Sequence, residues 1–344
     1  MSDHRFGKAL VVGGGNGIGL AVTMKLSQEC DEVVILDKSE PEISIPENVC
    51  FFRHNLLDGG FSELAERNGF APCDIDVLVI TAGFGRIAPF ETFLEKEIEN
   101  VFGVNAVALT RTIRYYYPRM MQKKDFYCAV MGSIAGLISS PMISVYSATK
   151  AAICKLVEGL NIELEASGSD NRILNVSPGS VKGTRFNGAA HNDLSQIEDL
   201  SREMVDRMYR REELYIPDMD TIYGKVLERY HTDPHKFGLD SCMYKIQGGR
   251  MNRKPQLKVG YLSGVFDVVD ARTLSLIREA RQYCDYLVIG LLPEGKVPFG
   301  DRCEVLKGLR YVDQVIEAAS DSTGVAEMES YYTDKGVQVV DLSK

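Results

Sequence analysis

No apolar run in the 344-residue chain approaches the ~18 residues that would cross a bilayer, so no membrane span is expected. No two cysteines stand at C-x-x-C spacing, although eight are scattered at positions 30, 50, 73, 128, 154, 242, 284 and 303. That removes the common zinc and redox-dithiol patterns and leaves free, largely buried thiols of a reducing cytoplasm as the reading. Excess positive charge is also missing: 39 Lys plus Arg stand against 48 Asp plus Glu, a net charge of −9. Such a chain is repelled by nucleic acid and by anionic membrane surfaces, so neither is expected as a partner. The opening MSDHRFGKALVVGG has no long apolar core of the signal-peptide kind, and short-period repeats and low-complexity tracts are absent.

What is present belongs to a globular protein with a sizeable core: 45% apolar and 25% charged residues. The length suggests two domains. Apolar strand-like runs (KALVVGG, EVVILD, VCFFRHN, DVLVITAG, FYCAVMGS, RILNVSPG and CMYKIQGG) alternate with helix-length amphipathic stretches up to Gly249. This alternation predicts βαβ units and an α/β fold with a doubly wound parallel sheet. The polar, basic stretch 250–256 reads as a linker. At Leu257 the pattern restarts with KVGYLSG, YLVIGLLP, VDQVIEA and VQVVDLS, predicting a second, smaller α/β domain over 257–344.

The stretch Leu10-Val-Val-Gly-Gly-Gly-Asn-Gly-Ile-Gly19 follows a strand and opens a helix running through Ala21–Gln28. Glycines there permit a tight turn and close approach of a pyrophosphate, and the helix N-terminus supplies free N–H groups. A glycine-rich turn without a ligand shows the same pattern, and the next strand decides between them. It ends in Asp37, placed to accept hydrogen bonds from adenosine ribose hydroxyls and to repel a 2′-phosphate; Lys38 is the only nearby base. NAD is therefore expected over NADP. Tyr146 and Lys150 lie four residues apart at the start of a helix and so share a face. A solvated helix face would show that pair too. A tyrosine with a pKa near ~10 needs a nearby cation to act as a base at neutral pH. Ser133, ending FYCAVMGS, is placed to bond the same substrate oxygen.

These residues together resemble the short-chain dehydrogenase/reductase family over residues 1–249. Its T-G-x-x-x-G-x-G pattern is matched by Val12-Gly13 through Gly17-Ile18-Gly19, with Val for Thr and with Asn16 inside the loop. Its N-N-A-G element is matched by Ile80-Thr81-Ala82-Gly83, both asparagines being lost. Its catalytic Asn, Ser, Tyr and Lys fall on Asn105, Ser133, Tyr146 and Lys150. The resemblance implies hydride transfer between a nicotinamide and an alcohol or carbonyl carbon. Tyr146 would move the hydroxyl proton, Ser133 would position the oxygen, Lys150 would lower the tyrosine pKa and hold the ribose, and Asn105 would order a relay water. Cofactor contacts are implied at Gly13, Asn16, Gly17, Ile18, Gly19, Asp37, Asn55, Leu56, Ala82, Gly83, Tyr146, Lys150, Pro178, Gly179, Val181 and Thr184. A homodimer or homotetramer is implied through the helices around Val101–Gln122 and Tyr146–Glu165.

The stretch after Thr184, with Arg185, His191, Arg202, Arg207, Arg210 and Arg211, would form the substrate lid. Interleaved acids (Glu198, Asp199, Glu203, Asp206) make it read as a solvated, ion-paired face. His231 and His235 flank Asp233-Pro234, whose proline breaks the geometry a metal pair needs, so no metal is expected. Residues 257–344 resemble small nucleotidyltransferases of the cytidylyltransferase type in KVGYLSGVFD, CDYLVIGLLPEGK and PFGDRCEVLKGLRYVDQVI. The family's H-x-G-H falls on Asp270, Ala271, Arg272 and Thr273, and Lys344 is reached before its R-x-x-x-I-S-T-T element. That site is expected to be dead. The combined expectation is a cytoplasmic, NAD(H)-dependent oxidoreductase acting on a small molecule, with a polyol, sugar or sugar phosphate as candidate substrate. The alternatives are a bifunctional reductase/cytidylyltransferase and a non-catalytic dinucleotide sensor.

Overall fold

A computed structural model of the protein describes residues 6–122, 124–184, 186, 191–249, 251, 257–318, 326, 328, 330, 332 and 337–343. The chain divides into two compact units, one of Met1–Phe90 with Val101–Met251, the other of Glu91–Asn100 with Asn252–Lys344.

The first unit opens with β1 (Phe6–Val12), α1 (Gly17–Leu26), β2 (Cys30–Asp37), β3 (Val49–Arg53), α2 (Phe61–Arg67) and β4 (Val77–Ile80). There follow α3 (Glu95–Phe102), whose first residues count with the second unit, α4 (Leu109–Met120), β5 (Tyr127–Met131), α5 (Ser144–Ala166) and β6 (Ile173–Val176). It closes with α6 (Glu198–Tyr209), β7 (Leu214–Tyr215), α7 (Gly224–Thr232) and α8 (Pro234–Gln247). The strands form a seven-stranded parallel sheet in the order β3-β2-β1-β4-β5-β6-β7.

Strand alternation builds the layers on both faces of this sheet. Leu10, Val12, Val34, Leu36, Leu78 and Ile80 point to one side, packing with Ile113 and Tyr116 of α4 and Ile153 and Val157 of α5. Ala9, Val11, Val33, Ile35, Val77 and Val79 point to the other, against Val22 and Leu26 of α1 and Met204, Val205 and Met208 of α6. Each such side chain stabilises the fold by roughly 1.5–3 kcal/mol through burial. The strand order reverses direction between β1 and β4. In open α/β sheets, ligands bind at such a reversal, outside the carboxyl ends of the strands.

One expected strand is a helix. CMYKIQGG lies at the end of α8, where Asp233 accepts the Lys236 N–H at 2.9 Å and Pro234 takes the first turn. That cap, with Leu239, Met243 and Ile246 at helical spacing, outweighs the short local alternation that suggested a strand. The last strand of the sheet is instead β7.

The second unit contains β8 (Lys258–Gly264), α9 (Ala271–Gln282), β9 (Tyr286–Leu291), α10 (Phe299–Lys307), β10 (Gln314–Glu317) and β11 (Gln338–Asp341). Each of the four apolar runs noted in the sequence forms a strand, and the parallel sheet runs β10-β9-β8-β11. Glu91–Asn100 joins this unit through a Lys96–Asp313 ion pair of 2.7 Å and a 3.3 Å bond from Asn100 Nδ2 to the Asp285 carbonyl. The linker stretch lies outside the described residues except Met251. All eight cysteines are free thiols. Among the described residues no helix is long and apolar enough to cross a membrane, and no group of three potential ligands could hold a metal.

Candidate active site

The turn from β1 into α1 is compact because it is built of glycine. Gly13 adopts φ +87°, and a Cβ there would lie 2.4 Å from the Ala82 backbone nitrogen. A Cβ on Gly19 would lie 2.1 Å from the Gly13 carbonyl oxygen. No side chain fits at either position. The Thr81 hydroxyl donates to the Gly13 carbonyl at 3.0 Å, a tie across to the segment after β4 that carries Ala82 and Gly83. Gly17 opens α1 at φ +50°, with Ile18 packed against the core behind it. Its N–H donates to Asn192 Oδ1 at 3.1 Å.

Two observations fit a dinucleotide to this turn. The approach to the start of α1 is lined by glycine backbone without side chains, and Asn16 Oδ1 is buried among the described residues without a hydrogen-bond partner. Asp37 ends β2 with Oδ2 accepting the Gly15 N–H at 3.0 Å and Oδ1 accepting the Ser39 N–H at 3.1 Å. Burial pushes its carboxyl above the usual range, partly offset by those two amides. Lys38 is not the only base nearby. Arg53 stands opposite Asp37 in the β2–β3 register, reaching the Lys38 carbonyl at 3.0 Å and Glu40 at 2.7 Å. Asn55 follows β3, buried, with Oδ1 accepting the Leu57 N–H at 3.1 Å, and Leu56 packs against the core.

The four catalytic candidates converge. Asn105 sits in a π-helical stretch, Gly103–Ala108, a local widening of the helix that recurs at functional sites. Its Oδ1 accepts the Phe84 N–H at 3.0 Å, and its Nδ2 donates to the Phe84 carbonyl at 2.8 Å and to Thr149 Oγ1 at 3.1 Å. Ser133 follows β5; its hydroxyl accepts the Ala135 N–H at 3.2 Å and bonds the Tyr146 phenol. Lys150, one turn past Tyr146 on α5, is fully buried and donates to the Met131 carbonyl at 2.7 Å. A Cβ on Gly83 would stand 3.2 Å from Lys150 Nζ and 3.3 Å from Asn105 Oδ1, so glycine keeps that space open.

Burial sets the protonation states here. It pushes the Tyr146 phenol up to about 12, against the Ser133 hydrogen bond that pulls it down. It pulls the Lys150 ammonium down to about 8. Desolvation of both groups dominates, and Lys150 spends its charge on a carbonyl.

Ile134 N–H donates to the Pro178 carbonyl at 3.0 Å, setting the Pro178-Gly179 turn beside Ser133. Thr184 Oγ1 donates to the Val181 carbonyl at 2.9 Å and leans toward Gly17. The basic residues that follow are ion-paired: Arg202 with Asp199 at 2.6 Å, Arg207 with Glu212 at 2.6 Å, and Arg210 with Glu212 at 3.7 Å. Arg211 pairs with Asp125, and His191 stands 3.7 Å from Glu42. Arg185 lies outside the described residues. The sequence reading missed Asn192, Arg53 and Phe186, whose ring lies 5.2 Å from that of Tyr146. Each comes from a distant segment, and no local pattern marks it.

The chain is similar to a very-long-chain 3-oxoacyl-CoA reductase of Coccidioides immitis, 26% identical over 170 residues that cover 46% of this chain and 49% of that protein. The chain thus spans about half the length of that curated relative. Among solved structures, a short chain dehydrogenase of Burkholderia cenocepacia J2315 in complex with NADP covers 70% of this chain and 99% of its own. Its TM-score is 0.56 at 16% identity. A short chain dehydrogenase/reductase of Burkholderia phymatum in complex with NAD gives a TM-score of 0.56 at 20% identity, covering 68% of this chain and 95% of its own. Both share the fold. The model of the short chain dehydrogenase family matches residues 7–195, from β1 past β6 and across all four converging side chains, and the chain belongs to that family of oxidoreductases.

Proposed function

We propose that the protein is an NAD(H)-dependent oxidoreductase acting between an alcohol and its carbonyl. The observation that carries this reading is the Ser133–Tyr146 hydroxyl pair, set beside buried Lys150 and anchored Asn105. Gly13, Asn16, Gly17, Ile18 and Gly19 would hold a dinucleotide's pyrophosphate, Asp37 its adenosine ribose, and Asn55 and Leu56 its adenine. Ala82, Gly83, Tyr146, Lys150, Pro178, Gly179, Val181 and Thr184 would surround the nicotinamide half. When bound, that group supplies or accepts the hydride. Asp37 favours NAD by repelling a 2′-phosphate; Arg53, tied to Glu40, offsets this only in part.

In carbonyl reduction, Ser133 donates to the substrate oxygen and fixes it near the Tyr146 hydroxyl. Burial keeps that phenol protonated at neutral pH, so Tyr146 is a ready acid and delivers its proton to the same oxygen. The Lys150 ammonium then stabilises the phenolate left behind, and Asn105 orders water for reprotonation. Alcohol oxidation runs the same proton transfer in reverse, with the Tyr146 phenolate as the base. Deuterium at the nicotinamide carbon of NADH should appear on the product carbon, as mass spectrometry of the alcohol would show; its absence from every product counts against the reading.

The proposal extends to a polyol, sugar or sugar phosphate as substrate, with ketose phosphates such as ribulose 5-phosphate as the first assay. Its support is the resemblance of 257–344 to enzymes that activate polyol phosphates. Within the second unit, Asp270 accepts the Thr273 N–H at 2.8 Å and caps α9, filling with a carboxylate the helix start where a nucleotide phosphate would sit. We read 1–249 as the catalytic domain, 250–256 as a linker and 257–344 as an interaction module without transferase chemistry. Exposed Phe102, Val107 and Ile162 on the helical face of the first unit support two-fold assembly through that face.

A further inference from the structure

Tyr223 lies outside the sequence-read site, yet its hydroxyl reaches the same turn. It ends a π-helical turn, Met219–Tyr223, that follows β7, and its neighbours Met219 and Ile222 are exposed. A Cβ on Gly179 would lie 1.5 Å from the Tyr223 hydroxyl and 2.2 Å from Cζ. The phenol tip therefore rests on bare backbone at the Pro178-Gly179 turn, and any side chain there would exclude it. The Ser180 N–H donates to the phenol oxygen, while burial holds the group above the ordinary tyrosine range, so it keeps its proton at neutral pH. Among the described residues the O–H meets no acceptor, so it is available to donate to a ligand.

Neighbouring contacts decide which side of the turn this donor serves. Val181 and Thr184, the later residues, bond to one another, and Thr184 leans on Gly17 of the glycine turn. Pro178, one residue before Gly179, has its carbonyl 3.5 Å from Ser133 Oγ. Tyr223 meets the turn at Gly179 and Ser180, next to the Ser133–Tyr146 end. A phenol O–H facing a purely apolar ligand would be buried unpaired, a penalty that selects against such ligands.

We propose that Tyr223 is a substrate-contacting, specificity-determining residue whose hydroxyl donates to a second oxygen of the substrate, so that the site prefers hydroxyketones over plain ketones. This rests on the oxidoreductase reading above. Tyr223→Phe keeps the ring and removes only the donor. Steady-state kinetics with NADH on 3-hydroxybutan-2-one and on butan-2-one reads the preference directly. The variant should lower the hydroxyketone-to-ketone ratio of kcat/KM about fivefold to tenfold, through KM rather than kcat. An unchanged ratio overturns the inference. So does a matching rise in the NADH dissociation constant, which would assign the phenol to the cofactor. Wild-type turnover of neither ketone overturns this inference and leaves the oxidoreductase reading to the deuterium-transfer test; wild-type turnover with an indifferent variant likewise overturns this inference alone.

Discussion

Lys150 stands one turn of α5 beyond Tyr146, its ammonium 5.6 Å from the centre of the tyrosine ring and bonded to the Met131 carbonyl. Burial draws the lysine from 10.5 down to about 8. Between those values the unfolded chain binds a proton that the folded chain has released, so this group makes stability rise with pH across that window. Below about 8 both forms are protonated and the folded form carries the whole penalty. Wild-type protein should therefore gain stability relative to Lys150→Met as pH rises from 7.5 toward 10, by about 1–3 kcal/mol in total. Paired thermal melts across that range check this; a constant difference contradicts it.

Asp37 is held by the Gly15 and Ser39 amides at the end of β2, with Arg53 opposite. Replacing Asp37 by Ala removes the charge that opposes a 2′-phosphate and leaves Arg53 as the nearest charge on the neighbouring strand. The ratio of NADPH to NADH dissociation constants should fall at least about tenfold, roughly 1.4 kcal/mol. Nicotinamide fluorescence titrations measure it.

Gly13 and Gly59 both have positive φ, yet only one is crowded. A Cβ on Gly13 meets the Ala82 nitrogen at 2.4 Å, whereas one on Gly59 meets nothing within 4 Å. Gly59→Ala should cost only about 1 kcal/mol of backbone strain. Gly13→Ala must move backbone as well, and should cost about 2–4 kcal/mol and weaken NADH binding. Equal melting shifts for the two variants would remove the packing argument for the turn.

Asp270 caps α9 in the second unit, and the amides of Lys296 and Val297 hold its neighbour Asp267 at 2.8 and 3.1 Å. Calorimetry with CTP should show no binding to the full-length protein. Micromolar binding would make the unit a nucleotide sensor.

Legibility in the sequence followed the range of the interactions. The runs behind β1, β2, β4 and β5, the glycine turn, and Tyr146 with Lys150 on one helix are set by neighbours a few residues apart, and local pattern shows them. Asn192 meets Gly17 from 175 positions away, and Tyr223 meets Gly179 only once β6 and β7 pair. Neither pairing has a local trace. The Glu91–Asn100 segment, counted with the second unit, is equally silent in composition. The misread α8 shows the reverse failure: four alternating residues outweighed an Asp-Pro cap that was plainly present. Desolvation of Tyr146 and Lys150 depends on burial, which spacing does not report.

The central claim is that the Tyr146 hydroxyl delivers the substrate proton. Tyr146→Phe leaves the ring beside Phe186 and removes the phenol oxygen that bonds Ser133. On any ketone the wild-type protein reduces, the account predicts a fall in kcat of at least about a hundredfold, with NADH affinity within twofold of wild type. A Tyr146→Phe protein that keeps the wild-type kcat would contradict it.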